Sequence, residues 1–218
     1  GKYSDKIIIE TSKWTHEVIL ETNIWNFTLP TNTTFRTAIG NRRVYYLETR
    51  DAWNQNFLMH KISPYFPFNA SYVPNRKNCK LNTTTNTIIF NFTDMERDLD
   101  NSIRHGLDSF RITYKPASIE PGCFTNDFNE RAFSYYSQLG EFLENHSLGQ
   151  NRTWLDLALV YAMDEPNEEQ YELFNQWSEL IHSSNPGWKL LLTEQVEPEL
   201  ENYVDIWCPH INSMDAAN

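Results

Sequence analysis

WLDLALVYAMDEP, residues 154–166, is the stretch whose reading decides the fold. From Trp154 to Met163 it is almost continuously apolar, without the alternation of a sheet that has one wet face. That pattern predicts a strand buried on both faces, and such strands belong to parallel sheets covered by helices. Two acids, Asp164 and Glu165, close the run, and Pro166 stops it. Just downstream, Asn167 and Gln170 predict a capped helix start, after which Tyr171, Phe174, Trp177 and Ile181 recur on one face. WKLLLTEQ (188–195) and VDIWCP (204–209) read as two further strands.

Upstream the same alternation continues. A helix is predicted over roughly 127–144, where Phe133, Tyr136, Leu139 and Phe142 repeat at helical spacing. SFRITY (109–114) and TIIFNF (87–92) read as strands, separated by a helix that opens on a Thr93/Glu96 capping box and stops at Gly106. The proline-broken residues 63–87 predict a long exposed loop, and a helix precedes it over about 49–62. With FRTAIG (35–40), six strands are predicted to alternate with helices, which is an α/β chain. Residues 1–30 differ: KIIIE and EVILETNIWNF predict two strands of a β-domain, closed off by Pro30 and a polar linker.

Composition removes several function classes. The chain has 218 residues, 40% of them hydrophobic and 22% charged, as a folded globular protein does. A net charge of −11 would repel a phosphate backbone, so no nucleic-acid partner is expected. No apolar run approaches the roughly 18 residues of a membrane span. Phosphate-binding glycine loops, nucleophile elbows and zinc signatures are missing, and the six histidines have no ligand spacing, so no cofactor and no metal are expected.

Asn26, Asn32, Asn69, Asn82, Asn91, Asn145 and Asn151 each begin an Asn-x-Ser/Thr acceptor. Composition alone yields about half as many. The excess points to a secreted, extracellular or lumenal glycoprotein. Asn69 and Asn82, in the predicted loop, are the freest of the seven, and Asn91, in TIIFNF, the most constrained. In an oxidising compartment Cys79 and Cys123, both predicted in loops, are the favoured disulfide pair among three cysteines.

The strongest chemical signal is Asp164-Glu165-Pro166. In parallel α/β proteins, sites form at the carboxyl ends of strands. Pro166 is expected to hold Glu165 extended at that mouth, and the apolar strand to desolvate both carboxyls toward general-acid behaviour. The alternative is a simple preference of acids for the next helix N-terminus. Tyr161 precedes the pair, and Glu194 and Trp207 end the next two strands, where an indole beside carboxylates suits a sugar ring or, equally, core packing.

WNFTLP, TAIG, AMDEP, LLLTEQ and DIWCP, in that order from Trp25 to Pro209, resemble the catalytic region of glycoside hydrolase family 123. The resemblance implies a β-sandwich followed by a (β/α)8 barrel that removes N-acetylgalactosamine from glycoconjugates. Residues 1–30 would then end the sandwich, and residues 31–218 would form a partial or truncated (β/α)8 TIM-type barrel, incomplete at its C-terminus. Further segments or another chain would complete it. The resemblance also implies a retaining, substrate-assisted mechanism. The sugar's own acetamido oxygen attacks the anomeric carbon, Asp164 orients the acetamido N–H, and Glu165 protonates the leaving oxygen. A non-catalytic secreted or cell-surface structural glycoprotein, such as a filament or coat subunit, is the rival expectation, because fold alone does not carry function.

Overall fold

The computed structural model describes residues 1–28, 36–37, 39, 47–67, 77–112 and 124–209. The chain divides into two units, Gly1–Thr31 and Asn32–Asn218.

The described part of the first unit is an antiparallel hairpin of β1 (Lys2–Glu10) and β2 (Thr15–Asn23). Thr11 makes its turn, bonding Trp14 through both backbone and hydroxyl. Register puts Ile7 opposite Val18 and Asp5 opposite Leu20, so Tyr3, Ile7, Ile9, Val18 and Leu20 share one face. Lys6 and Glu17 pair on the other at 3.2 Å. Every residue of both strands is exposed.

In the second unit, α1 (Leu47–Met59) comes first. β3 (Cys79–Asn82), β4 (Thr87–Phe90) and α2 (Thr93–Arg104) lead to β5 (Phe110–Ile112). α3 (Asn126–Glu144), the short hairpin of β6 (Ser147–Gly149) and β7 (Arg152–Thr153), and a 3₁₀ turn at Trp154–Leu157 lead to β8 (Ala158–Asp164). α4 (Glu168–Ser184), β9 (Leu190–Thr193) and β10 (Ile206–Trp207) follow.

β5, β8, β9 and β10 lie side by side in that order, all parallel. The ladder continues past β5: Arg111 N–H donates to Tyr65 O at 2.9 Å, Tyr65 N–H to Ile39 O at 3.0 Å, and Ile39 N–H to Ser63 O at 3.0 Å. Sheet neighbours are thus sequence neighbours throughout. At the far edge, Thr37, Ser63, Asp108 and Ser109 stitch strand starts together, with Ser109 Oγ donating to Thr37 O at 2.6 Å and Ser63 Oγ to Asp108 Oδ1 at 2.5 Å.

Two expectations are corrected here. TIIFNF is not a strand of the parallel sheet. β4 pairs antiparallel with β3, and the pair is fastened to α3 by Ile88 N–H to Ser134 Oγ (3.0 Å) and Gln138 Nε2 to Ile88 O (2.7 Å). Its ladder position belongs to Ser63–Tyr65, expected in an exposed loop, although Ser63 and Pro64 are buried. Pro64 is tolerated because the bonds to Ile39 use the C=O of Ser63 and the N–H of Tyr65, not the donor proline lacks.

The core lies between this sheet and the outer helices. Phe110, Val160, Leu190 and Leu192 are buried with Tyr136 and Leu139 of α3 and Phe174, Trp177 and Ile181 of α4. Gly140 of α3 permits close approach of the α4 end: a Cβ there would lie 2.9 Å from Asn185 Nδ2. Phe133, expected on the apolar stripe of α3, is instead 44% exposed. At the α2 start, Phe92 rather than Thr93 is the capping residue, and Asn91 Oδ1 accepts from Thr93 N–H at 3.2 Å. Glu96 meets His146 Nε2 at 3.4 Å instead of closing a capping box.

Cys79 opens β3 as a buried free thiol, pushed up to about 12 by burial, rather than lying in a loop. Cys123 lies outside the described residues, as do Asn32 and Asn69. Asn26, Asn91, Asn145 and Asn151 are exposed. Asn82 is half-buried, with Oδ1 accepting from Thr84 N–H at 3.0 Å. The expected order of Asn82 and Asn91 is therefore reversed, because β4 ends before Asn91.

His182 of α4 bonds Asp205 Oδ2 at 3.0 Å and Ser178 Oγ at 3.2 Å. Ser178 is fully buried and donates to Tyr203 O at 2.7 Å, so this Ser–His–Asp set ties α4 to the strand edge and has no access to a substrate. Burial alone would raise the Asp205 carboxyl, but bonds from His182 and from Leu190 N–H (2.7 Å) outweigh it and hold the pKa below its ordinary value near 3.8. A depressed acid stabilises the fold above its unfolded pKa and loses that contribution as pH falls through the folded one. Urea midpoints of the wild type should therefore exceed those of Asp205→Asn at neutral pH, with the gap closing below about pH 4. A gap constant with pH would contradict this.

Candidate functional site

The site is built at the carboxyl ends of β5, β8 and β9, on the sheet face away from Val160 and Leu192. In a regular strand, Tyr161 and Asp164 would project to opposite sides. A bulge between Tyr161 and Met163 resets the parity: Tyr161 pairs with Leu191, and Asp164 with Thr193 two residues on. Tyr161, Asp164 and Thr193 consequently share one face. Tyr161 Oη donates to Asp164 Oδ1 and lies 2.9 Å from Thr193 Oγ1. Thr193 Oγ1 donates to Asp164 Oδ1 at 3.0 Å and accepts from Glu165 N–H at 3.3 Å.

Arg111 of β5 places its guanidinium 4.5 Å from the Tyr161 ring centroid, and at 5.7 and 5.8 Å from Tyr65 and Phe66. Burial, then the bond to Asp164, pushes the Tyr161 hydroxyl up to about 12, against the opposing effects of Thr193 and Arg111. It is a committed proton donor at neutral pH. Tyr65 is also raised, by burial first; the Arg111 charge opposes this, and Cys208 and Asp164 add to it. Tyr65, Arg111, Tyr161, Asp164 and Cys208 thus share one electrostatic neighbourhood, drawn from Ser63–Tyr65, β5, β8 and the residue that follows β10. Among the described residues, no group of three His, Cys, Asp or Glu side chains is arranged to hold a metal ion.

The two acids are not placed as expected in every respect. Glu165 has φ 44°, left-handed rather than extended. The bulge and the Thr193 bond to its N–H turn the chain there before the buried Pro166. A non-glycine residue at positive φ is strained, and such strain concentrates at functional sites. Asp164 and Glu165 are both exposed rather than desolvated. Their setting comes from hydroxyl hydrogen bonds instead of burial.

Of the other expected residues, Tyr161 joins the pair and two do not. Glu194 folds onto its own turn, accepting from Gln195 N–H at 2.7 Å, and its charge bears on Tyr171 of α4. Trp207 pairs in register with the fully buried Leu192 and packs on the core, away from the Tyr161–Thr193 side. Arg111, Thr193 and Tyr65 were not singled out in the sequence. Each lies within two residues of a strand end, which is the signal that would have found them.

No family model matches this chain, and no curated protein matches it. The resemblance to glycoside hydrolase family 123 therefore rests on its five short motifs. Among solved structures, the chain is similar to the endo-1,4-β-mannanase of Rhizomucor miehei, a glycoside hydrolase, at TM-score 0.41 and 11% identity over 83% of this chain. It covers 64% of the mannanase chain, less than two thirds of that length.

Proposed function

We propose that this chain is the catalytic region of a glycoside hydrolase that removes N-acetylhexosamine, of the N-acetylgalactosamine type, from glycoconjugates. In this reading the sequence-ordered parallel segments are part of a (β/α)8 barrel, with the site at its carboxyl mouth. The observation that carries the proposal is the setting of two adjacent carboxyls. Asp164 is fixed as an acceptor by two hydroxyls from the sheet, while Glu165 follows it in a strained, exposed turn.

Ordinary retaining glycosidases hold two carboxyls about 5–5.5 Å apart on either side of the bond. Consecutive residues suit a different division of labour, in which the nucleophile belongs to the sugar. Asp164 accepts the acetamido N–H and orients the group, and the acetamido oxygen attacks the anomeric carbon. Glu165 gives its proton to the departing glycosidic oxygen. It then takes a proton from the water that opens the oxazolinium ring, so configuration is retained. The Arg111 guanidinium, stacked over the Tyr161 ring, lies on the same sheet face as Asp164.

The test is hydrolysis of an aryl N-acetyl-β-galactosaminide by the full chain, with the first anomer followed by NMR. Turnover giving the β-anomer first supports the proposal. Absence of turnover on all 2-acetamido glycosides would favour a non-catalytic surface glycoprotein.

A secreted glycoprotein is part of the same reading, supported by the exposure of Asn91, Asn145 and Asn151. Glycopeptide mapping of natively sourced protein should find these three occupied and Asn82 sparse, because its amide is tied into a turn. Bare Asn91, Asn145 and Asn151 would refute it.

A further inference from the structure

We infer that Thr193 is the positioning residue of the acid pair, setting Asp164 through its side chain and Glu165 through its backbone. The inference rests on the proposed glycosidase reading and extends it to a residue that touches neither substrate nor leaving group. One hydroxyl stands among three groups: it lies 3.0 Å from Asp164 Oδ1, 2.9 Å from Tyr161 Oη and 3.3 Å from the Glu165 nitrogen, and it bonds the first and the last of them.

A threonine hydroxyl has one proton to give and two lone pairs to receive. Tyr161, raised to about 12, keeps its own proton and donates it to Asp164. The Thr193 proton also goes to Asp164 Oδ1, which leaves its lone pairs for the Glu165 N–H. That second bond holds Glu165 at φ 44°, a strained conformation that persists only where its surroundings fix it. The β8 bulge brings Thr193 opposite Asp164, so the register of two strands and the strained turn converge on a single oxygen. Without that oxygen, Tyr161 still holds Asp164, but among the described residues nothing else bonds the Glu165 amide. The two acids would lose their common reference.

Thr193→Val keeps the shape and removes the hydroxyl; Thr193→Ser keeps the hydroxyl. In the full chain, Val should accelerate hydrogen exchange of the Glu165 amide and lower kcat on an aryl N-acetyl-β-galactosaminide about 10²-fold, the scale of a small misplacement of catalytic groups. KM should change far less. Ser should restore both readouts. Unchanged Glu165 exchange in Val overturns the inference, even if kcat falls, and so does loss of both readouts in Ser while Val retains them. If the wild type turns over no 2-acetamido glycoside, the glycosidase reading fails on its own. Amide exchange then still decides whether Thr193 sets the Glu165 turn.

Discussion

Glu165→Gln should lower kcat on an aryl N-acetyl-β-galactosaminide with a poor leaving group by about 10²–10⁴, the range general acid catalysis supplies. The substitution removes the proton but keeps size and shape. KM should move little, because the lost interaction belongs to bond breaking and not to ground-state binding. A leaving group acidic enough to depart unprotonated should recover much of the first step. Stability should hold within about 0.5 kcal/mol, as for an exposed side chain. Steady-state kinetics on a series of leaving groups checks this, and a loss independent of leaving-group acidity would assign Glu165 another role.

The largest stability effect is expected at Trp188. This residue is 1% exposed, lies edge-on to Tyr136 at 5.5 Å between ring centroids, and donates from Nε1 to Tyr136 O at 3.2 Å. It anchors the start of β9 to α3, so its loss opens a cavity between sheet and helix. Trp188→Ala should cost about 3–5 kcal/mol. Against a total of roughly 5–15 kcal/mol, that leaves a marginal fold. At about 2–4 °C per kcal/mol for a chain of this size, the midpoint should drop by roughly 6–20 °C in a circular-dichroism melt. Phe133→Ala, which truncates a 44% exposed ring, should cost about 1 kcal/mol or less. Equal effects at the two positions would contradict the placement of the core.

The elements legible in the sequence were the long, periodic ones. α3 and α4 announce themselves through repeated apolar positions, and β8 through an apolar run ended by acids and proline. Ser63–Tyr65 was hidden because a central proline reads as a breaker, and only the partner strand shows that its missing donor is not needed. TIIF reads as a strand, but a local pattern does not name a pairing partner, and its partner is β3 rather than the parallel sheet. The acid pair was legible as a motif, whereas its support was not. Thr193 and Arg111 are single polar residues in apolar strands, and their roles follow from a bulge that exists only as a register shift between two strands. The proline rule alone predicts an extended Glu165 and takes no account of a hydroxyl on the neighbouring strand.

The most direct measurement compares 4-nitrophenyl N-acetyl-β-galactosaminide with its N-fluoroacetyl, N-difluoroacetyl and N-trifluoroacetyl analogues. Each fluorine weakens the acetamido oxygen as a nucleophile and leaves the glycosidic bond alone. If that oxygen attacks the anomeric carbon beside Asp164, kcat/KM should fall steeply and monotonically along the series, and the matching β-galactoside without an acetamido group should not turn over. Hydrolysis that is indifferent to fluorination, or that proceeds equally well on the plain galactoside, would contradict the substrate-assisted account.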